Sequence, residues 1–291
     1  MWNFVNIGVI IIFKGMIYMN FFAVILEFLD LKMQTPTQFG WFHLLCIALT
    51  VLTTFFLCKY YKPTETDPSR PRKLIVWTAL IVTLFEIYKQ INYTFNVENS
   101  VINADYQWYA FPFQFCSTPM YVGLLVALFR KGKIHESLCA YLATYSVFAG
   151  AAVTAYTGDV FVETIGINIQ TMVCHCSMII VGINLFYTGY VKLEHKTIIK
   201  ALPVFSAAVM IACVLNEVAF ITGLTNEHYF NMFYVSPHLD PHLPIYSLVQ
   251  PIVPYPLNLI IYIAGFTAAA YIILLIGMLI KKICKKKKSA N

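Results

Sequence analysis

The sequence predicts an all-α fold: a polytopic membrane protein that forms a bundle of seven transmembrane helices. Composition supports this class because 59% of the residues are hydrophobic and only 12% are charged, far from the mixture found in soluble globular proteins. Apolar stretches are also long enough, since a helix needs about 20 apolar residues to cross the hydrocarbon core. The predicted spans are residues 41–58, 73–92, 112–129, 138–156, 168–190, 199–222 and 255–280.

The placement of basic residues predicts the orientation of this bundle. Of the 20 Lys and Arg residues, all but Lys14, Lys32 and Lys89 fall in loops or a tail on one side of the membrane. Cytoplasmic loops carry the excess of Lys and Arg in membrane proteins. We therefore expect a multi-pass protein of the cell membrane with its N-terminus outside and its C-terminus in the cytoplasm.

The regions flanking the bundle have different predicted roles. Residues 1–40 are expected to form an N-terminal extension with an amphipathic helix on the outer surface from about Met19 to Asp30. Met19 suits a natural start equally well, which leaves the place of residues 1–18 open. Residues 41–282 form the transmembrane domain, and residues 283–291 form a basic cytoplasmic tail.

The position of the positive charge predicts a lipid partner and argues against nucleic acid. The net charge is +6, and six lysines follow the last span directly. Such a cluster beside a membrane helix contacts the anionic headgroups of phospholipids. The oligomeric state is not predicted by any sequence feature.

Two spans are expected to bring a thiol and an imidazole to the same depth. Pro112 suits the first turn of a helix, so we expect a helix to start there and to place Cys116 about 6 Å along it. His175 lies about two turns into a span that starts on the same side. The pair predicts nucleophilic catalysis, in which His175 takes the proton of Cys116 and the thiolate attacks an ester to form an acyl-thioester.

A layer of further polar residues is expected around this pair in the outer third of the bundle. Ionisable groups at membrane depth cost about 2.5–3.5 kcal/mol each on insertion scales and mark function by default. Gln114, Asn258 or backbone N–H groups are candidates to stabilise the oxyanion, and Glu86 to orient His175 or to pair with Lys89. The supporting residues are His43, Glu86, Lys89, Gln114 and Asn258. The inner half has almost no such residues.

Each of these residues also has a structural interpretation. A buried Cys usually packs as a small hydrophobe, and a histidine in a membrane more often makes an interhelical hydrogen bond than performs chemistry. Glu86 and Lys89 are three residues apart and are most simply an ion pair on one helix. No cofactor is predicted, and no metal, because the spacings of Cys and His fit no tetrahedral zinc site.

Four short motifs occur in order along the chain: Phe-Gly-x-x-His at 39–43, Glu-x-x-Lys at 86–89, Pro-x-x-x-Cys at 112–116, and the helix of His175. Together they resemble the YwaF-type bacterial integral membrane proteins, which belong with the animal transmembrane protein 164 family. The resemblance runs from about Met19 to Lys282. It implies an acyltransferase whose Cys and His, here Cys116 and His175, move a fatty acyl chain from a phospholipid to a lysophospholipid. The chain departs from the pattern at Gln114, where many bacterial members have His, and at 223–254.

Three functions remain open at this point. The first is a thiol-dependent phospholipid acyltransferase or hydrolase at the outer leaflet. The second is a small-solute transporter that uses the same polar layer, although no internal repeat supports it. The third is a membrane scaffold or sensor without catalysis. The longest connection, residues 223–254, is long enough to be a lid over any of these sites.

Overall fold

The computed structural model describes residues 21–98, 101–158, 160–241, 243 and 246–290, with side chains as far as Lys286. Within them the chain is mostly helical, as the composition predicts. Residues 21–29 are helical and are labelled α1. Of the predicted N-terminal extension of residues 1–40, residues 1–20 lie outside the described residues, and α1 falls within the helix predicted from about Met19 to Asp30.

Among the described residues, six helical segments are long and apolar enough to cross a membrane. They begin and end close to six of the seven predicted spans, apart from one that starts at Gly132 rather than near residue 138. Their helices are α2 (Trp41–Tyr60), α3 (Arg70–Asn92), α5 (Gly132–Ala143) with α6 (Tyr145–Ala155), α7 (Ile165–Tyr187), α8 (Lys196–Ile221) and α10 (Tyr255–Ala290).

The third predicted span, 112–129, is different. It corresponds to α4 (Thr118–Leu128), an apolar helix of 11 residues, which at 1.5 Å per residue is about half the length needed to cross the hydrocarbon. The count of seven crossing segments and the orientation of the termini therefore stay predictions.

Short elements complete the described part of the chain, and they include a hairpin that the all-α prediction missed. Strands β1 (Phe95–Glu98) and β2 (Val101–Ala104) pair antiparallel with Phe95 opposite Ala104. Helix α9 (Tyr246–Val249) precedes α10. Single 3-10 turns lie at Trp108–Ala110, Leu224–Asn226, Met232–Tyr234 and Gln250–Ile252.

The prediction that a helix begins at Pro112 is wrong. Residues 112–117 form turns, and α4 starts only at Thr118 with Pro119 in its first turn. Pro119 has no N–H to donate to the carbonyl of residue 115, so a helix running on from Pro112 would lose a backbone bond there. Cys116 therefore lies in the turn before a helix and not one turn inside it.

Helix α7 and the α5–α6 pair occupy the centre of the bundle. In the most apolar stretch of each segment, 61% of α7 and 67% of the α5–α6 pair is buried, against at most 33% in each of the other long helices. Helix α7 packs against α2, α3, α5 and α6. The outer helices are therefore left with apolar faces for lipid, while side chains of α7 meet other helices.

Glycine allows α6 to approach α7 closely near the candidate site. A Cβ on Gly150 would lie 2.5 Å from the carbonyl oxygen of His175, closer than atoms can pack. Small residues at helix crossings permit such approaches in membrane proteins. The backbone of α7 at His175 is thereby fixed against α6.

The 223–254 connection is not simply a cover over the surface. Its 231–236 segment is inserted among the helices, and the side chains of Met232, Phe233 and Val235 are fully buried. Phe233 and Tyr234 adopt positive φ values of 56° and 57°, which L-residues rarely do. Non-helical backbone at membrane depth is tolerated only where protein surrounds it, and here side chains of α8, of α10 and of the turn before α4 supply hydrogen bonds.

Candidate functional site

His175 lies on the buried face of α7 with one ring nitrogen unpaired. Its Nδ1 is 2.7 Å from the carbonyl oxygen of Thr171, and because a carbonyl only accepts hydrogen bonds, Nδ1 carries the proton. In the neutral ring the lone pair is then on Nε2. This Nε2 is buried without a hydrogen-bond partner among the described residues. His175 is therefore held in the tautomer that a general base requires.

Cys116 lies in the turn before α4 and contacts α7 beside His175. The thiol of Cys174 donates to the carbonyl oxygen of Cys116, with Sγ and O 3.6 Å apart. Cys116 is half-buried, whereas Cys174 is buried. The turn that carries Cys116 thus touches the residue immediately before His175, near the middle of α7.

A small cavity adjoins Cys116 inside the bundle. Its volume is about 30 Å³, and its polar lining comes from Thr78, Ser146 and Ser177 together with Cys116 and Cys174. A cavity of this size holds one water molecule and excludes an acyl chain. A larger substrate enters this cavity only when part of its wall moves.

An open groove lies between α3 and α4 on the other side of Met120. It has a volume of about 420 Å³ and is lined by Glu86, Gln90, Pro112 and Tyr121 among mostly apolar residues. Met120 borders both this groove and the cavity at Cys116. Because the neighbouring Leu84 and Ile87 are exposed on α3, the groove faces the region where lipid would lie.

Glu86 and Lys89 form the predicted ion pair, at 2.8 Å between Oε1 and Nζ. Two amides also donate to the Glu86 carboxylate, from Gln90 at 2.8 Å and from Gln170 at 3.3 Å. Glu86 does not bond to His175, whose Nδ1 is taken by Thr171. It is instead connected to α7 through Gln170, five residues before His175.

Lys89 links this ion pair to the two candidate catalytic residues. Its positive charge acts electrostatically on both the Cys116 thiol and the His175 ring, and the Glu86 carboxylate acts on Cys116 with the opposite sign. Tyr106 extends the network outward, because its hydroxyl donates to Gln90 Oε1 at 2.6 Å. Sequence reasoning missed Gln90 and Tyr106, although the i, i+4 spacing of Glu86 and Gln90 on one helix was a usable signal.

His43 does not join this group. Its Nδ1 accepts from the backbone N–H of Phe39 at 2.9 Å, and its Nε2 donates to the carbonyl of Thr154 at the same distance. Both nitrogens of this fully buried ring are used. His43 therefore ties the start of α2 to the end of α6, and it has no free base for chemistry.

Gln114 also uses its side chain in hydrogen bonds to another part of the chain. Its amide nitrogen donates to the carbonyl of Asn231 at 3.0 Å, and its oxygen accepts from the N–H of Phe233 at 2.9 Å. Asn216 holds the same segment by donating to the carbonyl of Met232 and accepting from its N–H. Gln114 thus fixes the 231–236 segment, which makes it unsuited to the oxyanion role expected for it.

Asn258, the last of the supporting residues, is buried near the start of α10. Neither its amide nitrogen nor its amide oxygen has a hydrogen-bond partner within the described part of the chain. Its amide therefore makes no hydrogen bond to Cys116. Across the same residues, no group of three or more His, Cys, Asp or Glu side chains is arranged to hold a metal ion.

The comparisons with known proteins give a family. A model of the TMEM164 family matches residues 36–279, which include Cys116, His175 and all the supporting residues. Neither a curated protein nor a solved structure matches the chain.

Proposed function

This chain belongs to the TMEM164 family of multi-pass membrane proteins, and we propose that it is a Cys/His-dependent acyltransferase of the cell membrane. Its substrates are a phospholipid and a lysophospholipid, and it transfers a fatty acyl chain between them at the outer-leaflet side. The observation that carries this proposal is the buried, unpaired Nε2 of His175 on the helix that contacts the turn of Cys116.

The reaction follows from the tautomer of His175. Nε2 accepts the proton of the Cys116 thiol, and the thiolate attacks the carbonyl carbon of the phospholipid ester. The ester C–O bond breaks, and the departing lysophospholipid oxygen takes the proton from Nε2. A second lysophospholipid then gives its hydroxyl proton to Nε2 and attacks the thioester, which restores the thiol. Water in place of the second lysophospholipid would give hydrolysis.

Two further features support this chemistry. The positive charge of Lys89 favours a thiolate at Cys116, while the carboxylate of its ion-pair partner Glu86 opposes it. The groove between α3 and α4 offers an apolar surface for an acyl chain within one side chain of the cavity at Cys116, since Met120 borders both. Movement of Met120 is therefore the step that admits the ester.

The test is mass spectrometry of detergent-purified protein incubated with phospholipid. We expect a hydroxylamine-labile acyl adduct on Cys116 that is absent in Cys116→Ala and forms slowly in His175→Gln. Cys174→Ala is the matched control, because its thiol lies beside Cys116 but is buried, and it should keep the adduct.

Two results would overturn the proposal. One is an adduct that persists in Cys116→Ala. The other is the absence of an adduct across a panel of lipids while the folded protein still has an alkylatable Cys116, which would favour transport or a scaffold role.

A further inference from the structure

A polar pocket lies at the other end of α4 from Cys116. Its volume is about 620 Å³, within the range of pockets that hold small molecules. It forms where the start of α3, the turn between α4 and α5, and the connection from α7 to α8 meet. The sequence indicated almost no polar residues in the inner half of the bundle. It did not reveal this pocket because the segments that line it are far apart in the chain.

The lining of this pocket is strongly basic. Two carboxylates, Glu136 and Glu194, face a larger number of cations, and Glu136 is already paired with Lys200 at 2.7 Å. Neither Arg72 nor Arg130 forms an ion pair with any carboxylate among the residues described. The basic lining residues are Arg72, Arg130, Lys131, Lys192 and Lys200, which leave three positive charges uncompensated.

The wall of the pocket is held in place by a buried histidine. His135 Nδ1 donates to the carbonyl of Phe129 at 2.8 Å, and its Nε2 accepts from the hydroxyl of Tyr190 at 2.9 Å. These bonds join the end of α4 to the connection after α7. Arg130 directly follows Phe129, and Lys192 lies two residues after Tyr190. Both cations are therefore attached to a fixed framework and not to independent loops.

The turn between α4 and α5 adds backbone donors. Gly132, which lines the pocket, has a φ of 89° that other residues rarely adopt. Helix α5 starts there without a side-chain cap. The first N–H groups of a helix have no partner within the helix and attract anions. They supplement the guanidinium and ammonium groups.

We propose that this pocket binds the phosphate group of an anionic ligand. Arginine matches phosphate oxygens in a two-pronged geometry, and two unpaired arginines with two lysines surround the same space. Basic pockets between membrane helices bind anionic lipid headgroups, and a soluble phosphate offers the same chemistry. This site is separate from Cys116, and it does not depend on the acyltransferase proposal.

The test measures the unfolding midpoint of the full chain in a neutral detergent with three probes. They are inorganic phosphate, dioctanoyl phosphatidic acid, and dioctanoyl phosphatidylcholine as a neutral-headgroup control with the same chains. We expect phosphatidic acid to raise Tm by about 5 °C or more at a hundred times its Kd, with no comparable rise from phosphatidylcholine. A similar rise with inorganic phosphate identifies a soluble ligand as sufficient, whereas its absence identifies a lipid headgroup.

Variants separate the pocket from other basic surfaces. Arg72→Gln/Arg130→Gln should lose the rise, and Lys131→Gln, whose side chain is exposed, should weaken it without affecting folding. Lys62→Gln is the control, because Lys62 lies at the same end of the bundle but outside the pocket and contacts the ring of Tyr187. The proposal is overturned if no probe raises Tm, if phosphatidylcholine acts as phosphatidic acid does, or if Lys131→Gln and the arginine variant respond like the wild type.

Discussion

The polar residues near Cys116 divide into two regions that differ in how fully their hydrogen-bonding groups are used. Around the 231–236 segment, Gln114 and Asn216 each use both ends of the amide on backbone groups. Around Cys116, His175 uses one nitrogen and keeps the other free. Both regions looked alike in the sequence, as polar residues at similar depth.

This difference helps to distinguish polar residues that stabilise a membrane protein from polar residues that act on a substrate. A buried polar group without a partner costs about 1–3 kcal/mol, so residues that serve packing are expected to be satisfied. Gln114, Asn216 and His43 meet that expectation, whereas the amide nitrogen of Asn231 and both amide groups of Asn258 do not within the described residues. An unsatisfied base on the helix that contacts the turn of a half-buried thiol is the arrangement expected where a substrate supplies the missing partner.

Separate substitutions of His43 and His175, two of the buried histidines, should have the largest effect and are the sharpest test of this contrast. His175→Gln should lower the acyl-transfer rate by about a hundredfold to ten-thousandfold, the usual contribution of a general base, with little change in Tm. His43→Gln should instead lower Tm, because two backbone groups lose a partner, and it should keep the rate per folded molecule. Initial rates and melting curves on the same preparations measure both. Equal losses of rate in the two variants would remove the distinction.

Asn216→Leu should have the next largest effect, on stability. It leaves the N–H of Met232 buried without a partner and its carbonyl with only the N–H of Val235, 3.4 Å away, which costs about 1–3 kcal/mol for the unpaired N–H. Val214→Leu, on the exposed face of the same helix, is the matched control and should melt like the wild type. Thermal unfolding in detergent gives the comparison. An unchanged Tm in Asn216→Leu would mean that the 231–236 segment is not held by this residue.

Met120→Ala should expose Cys116. Truncation of a buried Met costs about 2–5 kcal/mol, and here it removes the residue between the groove and the cavity, so alkylation of Cys116 by a maleimide should accelerate about tenfold or more. Met172→Ala is the control, since Met172 is buried in a different cluster, with Phe42 and Phe161. Peptide mass spectrometry measures the modification rates. If both variants accelerate alkylation equally, general loosening of the bundle explains the effect.

Asp30 should give the smallest effect, as a pH dependence. Burial raises the pKa of Asp30, but hydrogen bonds from Lys32, Thr164 and Asn92 outweigh it and lower the pKa below the ordinary 3.8. The stabilisation is therefore complete above pH 3.8 and is lost as the pH falls through the lower folded value. Because the side chain is 46% exposed, the contribution is at most about 1 kcal/mol. Asp30→Asn should flatten the decline of Tm in this acid range, and an unchanged decline would contradict the assignment.

The sequence predicted contacts between nearby residues of the site better than contacts between distant segments. The ion pair of Glu86 and Lys89 is confirmed, because an i, i+3 spacing on a helix decides it locally. The helix start at Pro112 was wrong because Pro119 competes for the first turn. The partners of Gln114 were not predictable, since Asn231 and Phe233 are more than 100 positions away in the chain.

The sequence by itself determined the class of the protein, the places of six long apolar helices and the residues available for chemistry. Those features depend on composition and on local length, which the hydrocarbon thickness fixes. Only the tertiary structure decided which polar atoms remain free and which cations converge at the pocket of Arg72 and Arg130. Hydrogen bonding in a bundle joins groups from distant helices, and its satisfaction can be counted only when those helices are packed.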